Sequence, residues 1–288
     1  MKTFREYLQS QGAAKNTIQG RASALNDFEN WLESEDLEIK EIDYNELMNY
    51  VAFCKQKGNS VHTIRLKINS LKHYFNYLIL ENKLNDNPAK LVQLKGGTKK
   101  IAHGMLEAEQ LQEIYVLQST KGLAQKRNKV LLSLVIFQGV GNNELGKIEL
   151  KDVDLTNGTI YVPATRTSNA RTLELKVQQL LLFQNYITTT RPAILQEANK
   201  QSDFFLVHHG HGNTELFENV IYKLIKNIRP YYPKLKNVQQ IRQSVITEWV
   251  KQHGLRKAQY FAGHRYVSST ERYRVDQLQG LKNELKTH

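Results

Sequence analysis

Residues 263–273 read GHRYVSSTERY, and this stretch decides how the rest of the chain is interpreted. It places His264 directly after a glycine and Tyr273 nine residues later, within a segment rich in serine and threonine. Upstream of it, residues 239–244 read QQIRQS and add Arg242. An arginine and a histidine can stabilise negative charge on a phosphate, and a tyrosine can act as a nucleophile. Together, these three residues favour a functional constellation over incidental packing.

The charge of the chain agrees with a polyanionic partner. Its 288 residues include 40 Lys and Arg against 28 Asp and Glu, a formal net charge of +12. Residues 1–97 hold 13 basic and 12 acidic residues, so nearly all of the surplus lies in residues 98–288. We therefore predict a polyanion as the partner, with nucleic acid as the leading candidate. A helical structural or protein-interaction protein with incidental charge is the alternative from another functional class.

Several other classes of protein are disfavoured by the sequence. There is one cysteine, Cys54, so an intrachain disulfide is excluded, and we predict that this residue lies in the core. No stretch approaches the ~20 apolar residues of a membrane span, and the N-terminus lacks a hydrophobic signal region. These features predict a cytoplasmic protein without a membrane partner.

The sequence has no motif that predicts a cofactor or a metal site. Neither a P-loop nor a Gly-x-Gly-x-x-Gly motif occurs, and we predict no cofactor. Residues 208–211 read HHGH, but no carboxylate or cysteine lies close to them in sequence. This segment is interpreted as a solvated loop, and no metal site is predicted.

Hydrophobic periodicity predicts two domains. Residues 1–92 show four helical patterns, the last capped by Ser60 and ended by Asn87-Pro88. Residues 93–104 contain three Gly and three Lys and predict a basic linker. Residues 105–288 predict a mostly helical domain with a β-hairpin formed by residues 159–163 and 171–175.

These motifs resemble those of the tyrosine recombinase (phage integrase) family. The resemblance covers nearly the whole chain and also includes residues 138–145, QGVGNNEL, followed by Asp152-Val153-Asp154. Further matching segments are residues 16–18, 60–65, 87–89 and 166–175. The resemblance implies a mainly α fold, with an N-terminal four-helix, SAM-like core-binding domain. It implies a second, catalytic domain that is mixed α/β, mostly helical, with a small antiparallel β-hairpin or sheet.

The resemblance also implies an activity, namely site-specific DNA recombination or integration without metal or ATP. A tyrosine attacks the scissile phosphate, forms a 3′-phosphotyrosine intermediate and releases a 5′-hydroxyl. By residue matching, Tyr273 is the nucleophile, His264 hydrogen-bonds the phosphate, and Arg242 is the second arginine of the family.

Three positions depart from the family pattern. Gly141 stands where the family has its first arginine, and Gln239 stands where it has its first histidine. Residues 159–175 contain no lysine, so Arg166 is the candidate for the hairpin lysine position, with Asn142 and Asn143 as further neutral donors. Two interpretations follow: a divergent recombinase with an altered site, or a catalytically impaired relative that binds DNA as an architectural or regulatory factor.

The remaining predictions concern the partners. Basic residues expected to contact DNA are Arg65, Lys67, Lys72, Lys99, Lys100, Arg171 and Arg265. The C-terminal tail carries Val275, Leu278, Leu281 and Leu285 at helical spacing. The resemblance implies that this tail packs on a neighbouring protomer in a dimer or tetramer on DNA. Docking on its own domain is the alternative.

Overall fold

The fold is described by a computed structural model that covers residues 3–96, 104–208 and 217–274. The chain forms two compact units, residues 1–99 and 100–288. Each unit has a hydrophobic core of its own. Within the described ranges, no helix is long and apolar enough to cross a membrane.

The first unit is built from the four helices that the periodicity predicts. They are α1 (Phe4–Ser10), α2 (Lys15–Ser34), α3 (Tyr44–Gln56) and α4 (Val61–Leu80), with a 3-10 turn at Ile39–Glu41. Three of them begin at side-chain caps, since Thr3, Asp43 and Ser60 each accept a hydrogen bond from a backbone N–H three residues later. These caps satisfy donors that a helix start leaves unpaired.

An aromatic core holds the four helices together. Phe28, Tyr50 and Phe75 are fully buried, and Phe28 meets the other two rings edge-on at 4.9 and 6.2 Å. Edge-on pairs of this kind stabilise a core beyond the area that they bury. Cys54 lies in the same core and is 1% exposed, as predicted.

Helix α4 ends earlier than the sequence predicts. It stops at Leu80 instead of at Asn87-Pro88, and Asn82 then adopts a left-handed backbone with φ 56°. An asparagine tolerates this conformation because its short polar side chain hydrogen-bonds locally. Asn87 is buried and donates to the carbonyl of Lys72 at 2.9 Å, which holds the following segment against α4.

The segment predicted as a linker begins inside the first unit. Arg65 donates from Nε to the carbonyl of Leu94 at 2.8 Å, and from Nη2 to the carbonyl of Gly96. Residues 93–96 are therefore tied to α4. Residues 97–103 of the predicted linker lie outside the described residues.

The second unit surrounds one buried helix. The helices are α5 (Ala108–Leu117), α6 (Leu123–Gln138), α7 (Asn142–Leu145), α8 (Val177–Asn185), α9 (Arg191–Glu197), α10 (Glu218–Ile228), α11 (Val238–Ala262) and α12 (Ser268–Glu271). Every residue from 130 to 136 of α6 is buried, which is typical of a helix covered on all sides. Helix α6 packs against α5, α8, α9 and α11.

Two of these helices differ from a regular helix. A π-helical turn, Tyr186–Thr190, joins α8 directly to α9. Helix α11 is interrupted at Gly254, whose φ of 75° lies outside the helical region. A glycine adopts this conformation readily because it lacks a Cβ.

A three-stranded antiparallel sheet completes the second unit. Its strands are β1 (Val153–Asp154), β2 (Thr159–Val162) and β3 (Arg171–Glu174), in the order β1-β2-β3. The predicted hairpin is therefore present, with one extra short strand at its edge. The register places Val162 opposite Arg171, and both residues face the core. This register determines the environment of Arg171.

Candidate active site

The end of α11 forms the centre of the candidate site. Gly263 ends this helix in a left-handed conformation with φ 66°. A Cβ at this position would collide with the guanidinium of Arg171 and lie 3.0 Å from the carbonyl oxygen of Asn169. The β2–β3 loop is hydrogen-bonded to the end of α11, since the N–H of Asn169 donates to the carbonyl of Gly263 at 2.8 Å. His264 is thereby held beside this loop.

His264 and Tyr273 lie together in the site. Their ring centroids are 6.0 Å apart and their planes differ by 11°. Thr270, a fully buried residue of α12, has its hydroxyl 2.8 Å from Nδ1 of His264. When Nδ1 accepts this hydrogen bond, the proton of a neutral imidazole resides on Nε2. Nε2 is then available to donate to a phosphate oxygen.

The surroundings of His264 keep its imidazole uncharged. Burial lowers the pKa of His264 most, and the charges of Arg242, Arg272 and Arg171 lower it further, to about 4. At neutral pH the histidine is therefore a hydrogen-bond donor without a positive charge. The positive charge that a phosphate requires must come from arginines.

Tyr273 is packed into the protein. It is 2% exposed and contacts Ile246 and Ala262 of α11. The guanidinium carbon of Arg272 lies 5.1 Å from the centroid of its ring. Because the residue is almost entirely covered, reaction of its phenol with DNA requires the segment around Tyr273 to open.

A buried ion-pair network lies beneath this pair of rings. Glu144 accepts from Nη1 and Nη2 of Arg171 at 2.7 and 3.1 Å, and from Nη1 of Arg242 at 3.2 Å. It also accepts from the N–H of Gly141 at 2.7 Å. Burial by itself raises the pKa of Glu144, but the two arginines and this N–H together lower it to about 2. Two guanidinium groups against one carboxylate leave one net positive charge at the site.

Arg242 retains unused donors. Besides Glu144, it donates to the carbonyls of Ala262, at 2.8 Å, and of Gly139. A guanidinium has five N–H groups. Its Nε–H and one Nη2–H therefore have no acceptor within the described ranges. The tertiary structure holds this guanidinium in place and leaves two donors for a ligand.

Gly141 lies directly beside Arg242. A Cβ at this position would be 3.5 Å from Nη1 of Arg242 and 3.2 Å from a carboxylate oxygen of Glu144. Asn142 is half-buried and Asn143 is exposed, and neither has a described hydrogen bond to His264 or Tyr273. Residues 141–143 thus contribute no positive side chain to the site.

Arg166 and Gln239 lie at the surface. Arg166 is exposed in the β2–β3 loop and has no hydrogen bond or ion pair among the described residues. The loop itself is anchored, because Arg265 donates to the carbonyl of Thr165 at 3.0 Å. Gln239 is exposed near the start of α11, three residues before Arg242. The structure therefore brings Arg242, His264 and Tyr273 together. Arg166 and Gln239 form no described hydrogen bond with these three residues.

The basic residues of the first unit that were predicted to contact DNA have partners within this unit. Arg65 is bound to the chain after α4, and Lys72 donates to the carbonyls of Lys90 and Val92 at 3.2 and 3.0 Å. Lys67 pairs with Asp27 at 2.9 Å, and its side chain is 17% exposed. A phosphate would have to compete with these contacts.

In the second unit, the predicted DNA contact of Arg171 is corrected. Its side chain is 0% exposed and forms the ion pair with Glu144, because the strand register directs it into the core. Arg265 is exposed, although one of its N–H groups is used within the protein. Lys99, Lys100 and the tail from residue 275 onward lie outside the described residues.

Two residues of the site received no role in the sequence analysis. Glu144 lies within the quoted segment QGVGNNEL, and Thr270 lies within GHRYVSSTERY. For Glu144, the sequence offers one indication: a carboxylate three residues after Gly141, at a predicted helix start, often caps the helix. Its pairing with two distant arginines had no signal in the sequence.

Of the histidine-rich segment, only His208 is described. The ring of His208 stacks on Phe217, with centroids 4.2 Å apart. His209 and His211 lie outside the described residues. In the part of the chain that the structure describes, no group of three or more His, Cys, Asp or Glu side chains could hold a metal ion.

Comparisons with known proteins agree with this architecture. Residues 1–82 match the family model for the phage integrase N-terminal SAM-like domain, and residues 104–279 match the model for the phage integrase family. The tyrosine recombinase XerC of Bacillus subtilis (strain 168) is 24% identical over 297 residues, which cover 100% of this chain and 95% of that protein.

Solved structures share the fold. The XerH site-specific recombinase bound to a palindromic difH substrate, in a post-cleavage complex, has a TM-score of 0.74 and 19% identity, and covers 96% of this chain and 80% of that chain. A lambda integrase tetramer bound to a Holliday junction has a TM-score of 0.65 and 14% identity, with 95% and 75% coverage. The predicted fold class is confirmed. Since the family model matches more than half of the sequence, this chain belongs to the phage integrase family of tyrosine-type site-specific DNA recombinases.

Proposed function

We propose that this chain cleaves and rejoins double-stranded DNA at a specific site through Tyr273. The phenol oxygen of Tyr273 attacks the scissile phosphorus, the bond from phosphorus to O5′ breaks, and a 3′-phosphotyrosine forms. The phenol gives its proton to water, and the leaving O5′ takes one up from water. Rejoining reverses these steps, and so the phosphodiester energy is conserved without metal or ATP.

The main support for this proposal is that His264 and Tyr273 stack on each other at the end of the helix that bears Arg242. Arg242 has two unused N–H donors, and neutral His264 has one at Nε2. These groups supply hydrogen bonds to the non-bridging oxygens, on which negative charge grows in the transition state.

At two positions where the family has a histidine or a lysine, the proposed site has no side chain that readily protonates the leaving oxygen. Gln239 has no acidic proton to give, and Arg166 is a poor acid because the pKa of a guanidinium exceeds ~12. We infer that water protonates O5′, while Arg166 in the β2–β3 loop donates a hydrogen bond to it. The exposed position of Arg166, free of described partners, supports this role.

The central experiment measures covalent capture of DNA. The substrates are nicked duplexes that together cover the DNA flanking the gene of this chain. Cleavage next to a nick releases a short strand with a 5′-hydroxyl. Because this strand diffuses away, rejoining is prevented and the covalent adduct accumulates. The unmodified protein is expected to form a denaturant-resistant adduct, and Tyr273→Phe is expected to form none because the nucleophilic oxygen is missing. Tyr266→Phe is the matched control, since this tyrosine lies in the same segment and is 71% exposed.

The adduct experiment separates the two interpretations of the altered site. If the unmodified protein gives no adduct on any duplex that it saturates, strand cleavage is excluded. The chain would then be a non-catalytic DNA-binding relative. Equal adduct formation by Tyr273→Phe would assign the nucleophile to another residue.

A second test concerns Arg166. Arg166→Ala is expected to slow adduct formation with little change in DNA affinity. Sulphur in place of O5′ should remove this defect, because a thiol with a pKa of about 8.5 leaves without protonation. Lys147→Ala, another exposed cation of the second unit, serves as the control. Unchanged cleavage of the oxygen substrate by Arg166→Ala would exclude Arg166 from the mechanism.

The assembly on DNA is part of the same proposal. We propose domain boundaries of 1–92, 93–104 and 105–288, a dimer or tetramer on DNA, and a C-terminal tail that packs on a neighbouring protomer. The tetrameric lambda integrase among the solved structures supports an oligomer. Arg265, Lys99 and Lys100 are proposed backbone contacts. Because the substrate is cellular DNA, we propose a cytoplasmic location.

A further inference from the structure

Positive charge around the proposed phosphate is limited by two features of the interior. Residue 141 has no side chain, and Arg171 is entirely buried and bound to Glu144. Among the largely buried cations that the structure describes, Arg242 is the one that combines unused donors with closeness to the His264–Tyr273 pair. Its two free N–H groups can serve one non-bridging oxygen, which leaves the second oxygen of the phosphate without a charged partner.

Arg272 is the exposed cation next to these two rings. Its guanidinium carbon lies 5.1 Å from the centroid of the Tyr273 ring, and Tyr273 is stacked on His264. The charge of Arg272 contributes to the lowered pKa of His264, second among the charges after Arg242. No hydrogen bond or ion pair to a described residue occupies its guanidinium, so its donors are free.

We propose that Arg272 binds the scissile phosphate and supplies the second guanidinium of the active site, which residue 141 lacks. This inference rests on the proposed cleavage by Tyr273. Because Arg272 directly precedes Tyr273 in the chain, the two side chains move together when the segment opens. A phosphate that reaches the phenol therefore meets this guanidinium in the same step.

Other exposed arginines fit this role less well. Arg265 already donates to the carbonyl of Thr165. Arg166 has no described contact with either ring. Arg274, which follows Tyr273, is exposed and likewise has no described contact with the pair. Because Arg274 lies in the same segment but lacks the contact that Arg272 makes with the Tyr273 ring, it is the matched control.

The test uses the nicked duplex that gives the strongest adduct with the unmodified protein. Arg272→Ala is expected to form the adduct on the order of 10² more slowly, the loss typical of a donor to transition-state oxygens. Arg272→Lys should recover part of this rate, since lysine keeps the charge without the paired donors. Arg274→Ala should cleave at the normal rate, and all variants should bind the duplex equally.

A second substrate identifies the group that Arg272 binds. A methylphosphonate at the scissile position replaces one non-bridging oxygen by an uncharged methyl group, and its two diastereomers are tested separately. For one diastereomer, Arg272→Ala should cleave at nearly the rate of the unmodified protein, because the oxygen that Arg272 neutralises is absent.

The outcomes are distinct. Normal cleavage of the phosphodiester by Arg272→Ala, or an equal loss on the phosphodiester and both methylphosphonates, overturns the role of Arg272. Both results leave cleavage by Tyr273 intact. Absence of any adduct with the unmodified protein overturns the proposed function and this inference together. If Arg274→Ala forms the adduct as slowly as Arg272→Ala, the loss of rate comes from the positive charge of the segment as a whole, and the specific role of Arg272 is overturned.

Discussion

Glu144→Gln is expected to lower the free energy of unfolding of the second unit by about 3–5 kcal/mol, the usual cost of removing one partner of a buried ion pair. The Glu144 side chain is 4% exposed and lies between Arg171 and Arg242. An amide has the same shape as the carboxylate but no charge. Two guanidinium groups would then remain buried without compensation.

Denaturant unfolding of the second unit at neutral pH measures this loss. Glu149→Gln is the matched control, since Glu149 pairs with Lys151 at the surface, where the two side chains are 36% and 77% exposed. Exposed pairs of this kind contribute about 0–1 kcal/mol. A loss in Glu144→Gln no larger than in this control would contradict a central role for the buried network.

The same network gives a pH dependence of defined sign. The pKa of Glu144 is about 2 in the folded protein, against about 4.3 for an unperturbed glutamate. The folded state therefore favours the ionised carboxylate, and its contribution to stability is complete above about pH 4.3. It is lost as the pH falls towards 2. The acid limb of stability should be shallower in Glu144→Gln than in the unmodified protein.

Gly263→Ala is expected to abolish adduct formation and to destabilise the second unit. Its φ of 66° disfavours any residue with a Cβ, at roughly 1–2 kcal/mol. In addition, the new methyl group would collide with the guanidinium of Arg171, which is fixed by Glu144 and by the carbonyl of Phe261 at 2.7 Å. To avoid this collision, either the Arg171–Glu144 ion pair or His264, which directly follows residue 263, would have to move.

A second glycine separates backbone strain from collision. Gly158 has φ 64°, and a Cβ there would meet its nearest atom, Cδ2 of Leu180, at 3.9 Å. Gly158→Ala should therefore show the backbone cost alone and should retain cleavage. If thermal unfolding and adduct formation are altered equally in both variants, the collision with Arg171 has no effect.

Local physical chemistry explains which parts of the fold could be predicted. Thr3, Asp43 and Ser60 cap helices through contacts three residues away, and the buried face of each helix repeats with the helical period. Such short-range features are legible in one sequence. The end of α4 was not predicted, because the turn at Asn82 depends on how the following segment docks through Asn87.

The fold class, the hairpin and the grouping of Arg242, His264 and Tyr273 could be predicted, because hydrophobic period, motif spacing and the family resemblance are properties of the sequence. The surroundings of these three residues could not, since they are set by how the chain folds. Strand register turned Arg171 into a buried partner of Glu144, and the turn after α12 stacked Tyr273 on His264, which follows α11. Both results depend on contacts between separate elements, which appear only when the chain folds.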